Sequence, residues 1–343
     1  MASENIYRNI NIDEHSITAK YIQLTNAIVH SIEQGKLEKD FLLPSINEMS
    51  YELDISRDTV EKAYRKLKSL GVVASIPGRG YFISKTDFKQ SIKVFLIFNK
   101  LSAHKKIIYD SIVNILGEKA AIDFYIYNND FNLFKKLIQA RKDDYTHYVI
   151  IPHFMEGSDQ ANEIINEIAG GELILLDKLI PGIRRNYSAV FENFEQDIFG
   201  ALKEALPQLQ KYQTLKIVFP AFNYFPEEIL KGFYSFCKEY AFDYQVIYDI
   251  AADSLATGDV FINLMEDDLV ILLGKIQQSN LEVGKNIGII SYNETPWKAF
   301  ILNGITTIST DFRKMGELTA KMILNKENSH VEVPFTLTLR KSL

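Results

Sequence analysis

The chain is poor in cysteine, histidine and net positive charge, and it has no long apolar run. A single cysteine, Cys237, excludes an intramolecular disulfide and leaves no cysteine cluster for a metal. Within "GFYSFCKEY" it reads as a small apolar residue. The six histidines, at 15, 30, 104, 147, 153 and 330, show no helical ligand spacing such as HExxH, so no metal is expected. No apolar stretch is long enough to cross a bilayer, and "MASENIYRNINIDEH" lacks the basic-then-apolar order of a secretory signal. A cytoplasmic protein without a membrane partner is the expectation. No GxxxxGK[ST], GxGxxG or GxSxG occurs, and the adjacent carboxylates Asp267 and Asp268 diverge on a helix, so neither a cofactor nor an enzyme is expected. With 38 basic against 44 acidic residues the net charge is −6, which excludes a uniformly basic nucleic-acid binder. Contact with DNA would have to come from a local patch.

Such a patch is present. Between 56 and 85, Arg57, Lys62, Arg65, Lys66, Lys68, Arg79 and Lys85 face only Asp58 and Glu61. Around it the periodicity is helical. Tyr21, Leu24, Ile28 and Ile32 recur at three- and four-residue spacing before Gly35, which suits a helix C-terminus. Ser45 followed by Glu48 fits a capping box opening a short second helix. Ser56 can cap a third, in which Val60, Ala63, Tyr64, Leu67 and Leu70 form one apolar stripe, Arg57, Thr59, Lys62 and Lys66 fall outside it, and Gly71 ends it. "VVASI" and "GYFIS" then flank Pro77-Gly78-Arg79-Gly80, a strand, turn and strand. Three helices and a hairpin make a winged helix-turn-helix, whose third helix has the width of the major groove. Glycines beside Arg79 let the turn's backbone approach a phosphate without Cβ interference.

Residues 20 to 84, through "LPS" (43–45), "SRDTVEKAY" (56–64) and "PGRGYFI" (77–83), resemble the DNA-binding domain of the gluconate-repressor (GntR) superfamily. The resemblance implies DNA contacts at Ser45, Ser56, Arg57, Thr59 and the wing residues Gly78, Arg79 and Gly80. Lys62 and Lys66 join them as cations outside the stripe. Asn47 stands where the family often has arginine; it can donate to a phosphate or pair with adenine. Glu61 occupies a position sometimes basic in the family.

After a polar stretch at 84–91, short apolar runs recur at 94–98, 123–127, 148–152, 173–177, 216–220, 244–248, 259–264 and 287–291, most of them separated by helical segments. In 193–209, for example, Phe194, Ile198, Leu202, Ala205 and Leu209 keep to one side of a helix. Runs this apolar imply parallel strands covered on both faces, and their number implies two doubly wound lobes with a cleft at the strand ends. The expected division is 1–84 for the winged head, 85–91 for a linker and 92–343 for a two-lobed α/β body. Strand-end position nominates Asn99, His153, Tyr224 and Trp297 for the cleft.

"IGIISYNETPW", "TTISTDFRKMG" and the C-terminal segment resemble the effector domain of the lactose/galactose-repressor (LacI/GalR) family, which is related to periplasmic sugar-binding proteins. The resemblance is strongest over 287–343 and collinear from 92. It implies ligand contacts at Asp177, Asn293, Thr310 and Phe312, with Met265-Glu266 in place of the family's Asn-Asp pair. An aromatic pocket short of arginine suits a neutral monosaccharide, a pentose or deoxyhexose. Together the two resemblances imply a sugar-responsive repressor, a homodimer on a near-palindromic duplex operator. Two alternatives stand beside it: a GntR-type head fused to a pyridoxal-phosphate enzyme-like domain, and a DNA-binding protein whose C-terminal part only dimerises.

Overall fold

A computed structural model describes residues 4–87, 92–141 and 145–343; the last four residues of the expected linker, 88–91, lie outside them. The head comprises α1 (Glu4–Tyr7), α2 (Lys20–Glu33), α3 (Ile46–Glu52), α4 (Arg57–Ser69), β1 (Val73–Ile76) and β2 (Gly80–Ile83). Leu24 and Ile28 of α2, Met49 of α3 and Val60, Tyr64 and Leu67 of α4 are buried together in one core. Removing these apolar faces from water is what orders three helices that are each too short to be stable alone. The "LPS" segment has a local job at each residue: Leu43 is in the core, the Pro44 carbonyl accepts the buried Tyr64 hydroxyl at 2.8 Å, and Ser45 caps α3. Ser45 Oγ accepts from the Glu48 N–H at 3.2 Å, one half of the reciprocal pair that the sequence suggests.

The body's first sheet is built from β3 (Ile92–Phe98), α5 (Ala103–Leu116), β4 (Ala120–Ile126), α6 (Phe131–Gln139), β5 (His147–Ile150), α7 (Ala161–Asn166), β6 (Glu172–Asp177) and β7 (Tyr187–Phe191). The second comes from α8 (Phe194–Glu204), α9 (Leu206–Leu209), β8 (Thr214–Val218), α10 (Glu228–Glu239), β9 (Asp243–Ile247), β10 (Asp259–Asn263), α11 (Glu266–Gln277), β11 (Gly288–Tyr292) and β12 (Thr306–Thr310). The chain then returns to the first lobe with α12 (Phe312–Asn325) and β13 (His330–Glu332), and to the second with β14 (Phe335–Thr338). Strand order is β13-β7-β6-β5-β3-β4 in the first lobe, all parallel, and β14-β12-β11-β10-β8-β9 in the second, parallel except for β14. The periodic segment 193–209 is two helices rather than one, because Pro207 cannot continue the hydrogen-bond ladder.

The lobes are joined where β7 meets α8, β12 meets α12 and β13 meets β14. The return of α12 is made possible by Gly316: a Cβ there would lie 2.6 Å from the Ile108 carbonyl and 2.6 Å from Ser111 Cβ of α5. Asp197 of α8 and Glu332 of β13 face each other across this joint. Burial, then the Glu332 charge, raise the Asp197 carboxyl to about 7. A folded-state value above the unfolded one means that stability is present at low pH and is lost as pH rises from about 4 to about 7. Asp197→Asn is therefore expected to stabilise the protein at pH 8 by about 1–2 kcal/mol after solvent screening, and by less at pH 5. Thermal melts at the two values check this; an equal gain at both would contradict it.

The head is tied to the first lobe by more than the 85–91 segment. Residues 16–18 run along the outer edge of β4, with an antiparallel bridge between Ser16 and Tyr125. The Ile17 N–H donates to the Phe124 carbonyl at 2.7 Å and the Phe124 N–H to Thr18 Oγ1 at 2.8 Å. Ion pairs between Asp13 and Arg141 and between Glu33 and Lys93 add to the joint.

Candidate functional site

On the head, α4 is held by its buried stripe, so its N-terminus and charged flank face solvent. Ser45, Asn47, Arg57, Arg79 and Gly80 line one groove between the starts of α3 and α4 and the wing. All five are exposed. Arg79 packs over the Phe82 ring at 4.9 Å, which steadies the wing tip, and Gly78 and Gly80 take φ of +80° and +92°, conformations that L side chains rarely adopt. Ser56 and Thr59 stand beside the groove, their hydroxyls 2.8 Å apart, with Ser56 Oγ accepting the Thr59 N–H. Lys62 is paired with Asp58 at 2.7 Å and Arg65 with Glu61 at 3.2 Å, so Glu61 neutralises a neighbour on its own helix. Arg57 and Lys66 have no carboxylate within 4.0 Å among the described residues. They stand nine positions apart, roughly 14 Å along the axis, so they suit different phosphates or a base and a phosphate. Lys66→Ala is expected to lower the slope of log K against log salt by about 0.9. Titrations at several salt concentrations would show an unchanged slope if Lys66 makes no phosphate contact.

Between the lobes lies a cavity of about 230 Å³, room for one small molecule. His153, Asp177, Tyr224, Glu266, Asn293 and Phe312, six of the residues that the sequence nominates, line it. The other three do not. Asn99 is fully buried beneath it and binds the Lys105 ammonium and Asn129; Thr310 sits deeper, beside Glu192; Trp297 packs against the core of the second lobe, five residues past the end of β11. Asp177 and Asn293 end β6 and β11 with φ of +72° and +63°. Asp and Asn tolerate this left-handed conformation best among residues with a Cβ, and such strain clusters at binding sites.

The first lobe supplies a wall that is charged and largely buried. Asp177 accepts from His153 Nε2 at 2.9 Å and lies 3.4 Å from the Lys105 ammonium, which is 3% exposed. Burial alone would raise the Asp177 carboxyl, but His153 and Lys105 outweigh it and hold it well below the usual carboxylate range. Burial lowers His153, and burial together with Lys105 lowers His104 to about 3, so both rings are neutral at pH 7. Burial, then the Asp177 charge, push the Glu192 carboxyl well above the usual carboxylate range. Lys105, His104, Lys100 and Glu192 are the wall residues that strand-end reasoning passed over; Lys100 and Ser102 follow β3 as directly as Asn99 does.

The second lobe supplies a wall that is mostly apolar: Tyr224, Phe225, Pro226, Ile229, Leu264 and Tyr292. Two of its polar atoms, Tyr292 Oη and Asn293 Oδ1, are buried without a hydrogen-bond partner among the described residues. Lys298, wholly buried, donates to the Asn293 carbonyl at 2.6 Å and the Tyr292 carbonyl at 3.2 Å and so fixes this turn. Two contacts cross the cleft to one residue: His153 Nδ1 lies 3.3 Å from the Tyr224 carbonyl, and the Lys100 ammonium 4.6 Å from the centre of its ring.

The model of bacterial regulatory proteins of the gntR family matches residues 20–83. The HTH-type transcriptional repressor NagR of Bacillus subtilis (strain 168) is 32% identical over 91 residues, 26% of this chain and 37% of that protein. The arabinose metabolism transcriptional repressor of Geobacillus stearothermophilus is 32% identical over 73 residues, 21% of this chain and 20% of that protein. The chain thus spans little over a third, at most, of the length of these relatives. A solved structure, a LacI family transcriptional regulator from Enterococcus faecium with bound ribose, covers 73% of this chain with 98% of its own length, at 18% identity and a TM-score of 0.58. That likeness gives the fold of the body, in place of the pyridoxal-phosphate enzyme-like alternative. All three are transcription regulators by name.

Proposed function

We propose that this chain, a gntR-type DNA-binding head on a LacI-like two-lobed body, is a transcriptional repressor whose hold on its operator is set by a small sugar bound between the lobes. The observation that carries the reading is the cavity: one wall of fixed polar groups, one of rings, and on the second two buried polar atoms lacking partners among the described residues. A sugar offers hydroxyls to the first and C–H faces to the second. Its volume suits one ring of pentose or deoxyhexose size. A single head reads too few base pairs to discriminate, so a two-fold homodimer on a near-palindromic duplex operator follows.

Coupling follows from the tie between head and first lobe. Because residues 16–18 extend the sheet edge, the head moves with that lobe, and the cleft governs how the two lobes sit. Ligand in the cleft competes with or reinforces the His153 and Lys100 contacts to Tyr224, changing the lobe angle and with it the spacing of paired heads. To invert a 99:1 population the sugar must prefer one state by about 10⁴-fold, roughly 5.5 kcal/mol. Calorimetry of the intact protein against a panel of pentoses, deoxyhexoses and hexoses, as free sugars, phosphates and sugar acids, tests the reading. One member is expected to bind at a stoichiometry of one per chain; silence across the panel would leave the body as a dimerisation scaffold.

A further inference from the structure

Resting on the sugar reading, the turn after β11 shows how the second lobe presents its polar atoms to the cleft. We propose that Lys298 is a positioning residue for the ligand: its enclosed ammonium holds the turn at 292–294 so that Tyr292 Oη and Asn293 Oδ1 are offered to the sugar's hydroxyls. Lys298 is fully buried and stands behind the cavity wall rather than in it. Its ammonium donates to the Asn293 carbonyl at 2.6 Å and the Tyr292 carbonyl at 3.2 Å, and lies 3.7 Å from Glu266 Oε1 at the start of α11. Those three residues do line the cavity, and two of them, Tyr292 and Asn293, carry the buried polar atoms that lack a partner among the described residues. The lysine is itself anchored, since the Ile305 N–H donates to its carbonyl at 2.8 Å and its own N–H to the Thr295 carbonyl at 3.0 Å. Thr295 Oγ1 in turn reaches Glu266 Oε1 at 3.4 Å. One ammonium thus ties together the end of β11, the start of α11 and a residue, Asn293, whose φ of +63° has to be held in place.

The energetics point the same way. Burial lowers Lys298 to about 8, although the Glu266 and Glu294 charges act against it; Arg340, beyond β14, adds to the lowering, and His104 faces it from the first lobe. An apolar side chain of similar volume would fill this space without the cost of enclosing a charge, so packing alone does not call for a lysine here. Three acceptors do. An ammonium has three N–H donors and can serve both carbonyls and the carboxylate together, whereas a neutral amine has two donors and turns a lone pair toward the third. The turn is therefore held while Lys298 is charged and loosened as pH rises past about 8. Stability follows the opposite sign. The folded chain gives up this proton at about 8 and the unfolded one near the usual 10.5, so the contribution of Lys298 to stability rises with pH between the two. A loss of ligand affinity over that range is then not a loss of fold.

The test is calorimetry of the intact protein with D-ribose, D-xylose, L-arabinose and L-fucose at pH 7 and pH 9, with a thermal melt at each pH. For a sugar that binds, affinity is expected to fall about tenfold between the two values, because the charged fraction of a group titrating near 8 drops from about nine-tenths to about one-tenth. Lys298→Met is expected to bind about tenfold more weakly already at pH 7 and to show no further fall at pH 9. Lys275→Met is the control. Lys275 also clamps carbonyls of the second lobe, those of Ile250 at 2.9 Å and Ala251 at 2.8 Å, but outside the cavity wall, so its loss should lower the melting temperature and leave affinity and pH profile as they are. The wild-type pH profile stands as a test even if Lys298→Met folds poorly. Equal affinity at the two pH values, or a Lys298→Met protein that keeps the wild-type profile, would overturn the positioning role while leaving the sugar reading intact. Silence of all four sugars at both pH values would count against both.

Discussion

Asp177→Ala is expected to abolish the ligand-induced rise in melting temperature and to destabilise the unliganded protein by about 3–5 kcal/mol, the usual penalty for breaking a buried ion pair. Asp177 is a buried acid of the first-lobe wall, and both its oxygens are in use, one toward His153 and one toward Lys105. Its removal leaves the Lys105 ammonium, 3% exposed, with only the Asn99 carbonyl oxygen as a close partner among the described residues. The cost is therefore that of an uncompensated buried charge, and a second change should relieve it. In Asp177→Ala/Lys105→Met the loss is expected to shrink to about 1 kcal/mol or less, since apolar replacement of a buried pair is often neutral. Ligand response should stay absent in the double variant. Operator binding by the unliganded protein should be unaffected in both, because neither residue touches the head. Chemical denaturation measures the first two effects; a double variant as unstable as the single one would show that packing, not charge, dominates the site.

Arg57→Ala is expected to weaken specific operator binding by about 1–3 kcal/mol, five- to 150-fold, and to relax base preference at one position of each half-site. Arg57 is the first residue of α4, exposed and without an ion-pair partner among the described residues, and it shares one groove with Asn47 and Arg79. A planar guanidinium there can pair bidentately with the O6 and N7 of guanine. The exposed cation Lys62 is a useful contrast, since its charge is already met by Asp58 at 2.7 Å; Lys62→Ala should cost much less. Competition titrations with operator variants separate base reading from phosphate contact. Equal loss on every sequence would move Arg57 from the first role to the second.

The head was legible in the sequence because its determinants are local. Ser56, the stripe from Val60 to Leu67 and Gly71 each act within one helix, and the wing needs only the Pro77 to Gly80 turn. All eight apolar runs of the body are strands, most of them because strands buried on both faces carry their burial in composition; the edge strand β9, exposed over 243–245, is apolar without that burial. Four other body strands are less apolar or lie at edges, among them β7 with Ser188 and β14 with alternating threonines, and their pairing decides them. The cleft was half legible. Asp177 and Asn293 stand out as short polar residues ending apolar runs. Lys105 does not, because "SAHKKII" reads as the polar start of a surface helix until α12, two hundred residues later, closes over α5 through Gly316. Trp297 misled in the opposite way: it follows a strand end, but by enough residues to fold back onto the core.

What most directly tests the link between cleft and head is one thermodynamic cycle. Operator DNA selected by the protein itself would be titrated with and without saturating ligand, and ligand titrated with and without saturating operator. The account predicts that ligand weakens operator binding by about 10²-fold or more, and that operator weakens ligand binding by the same factor. Ligand bound at full stoichiometry with both affinities unchanged would contradict it.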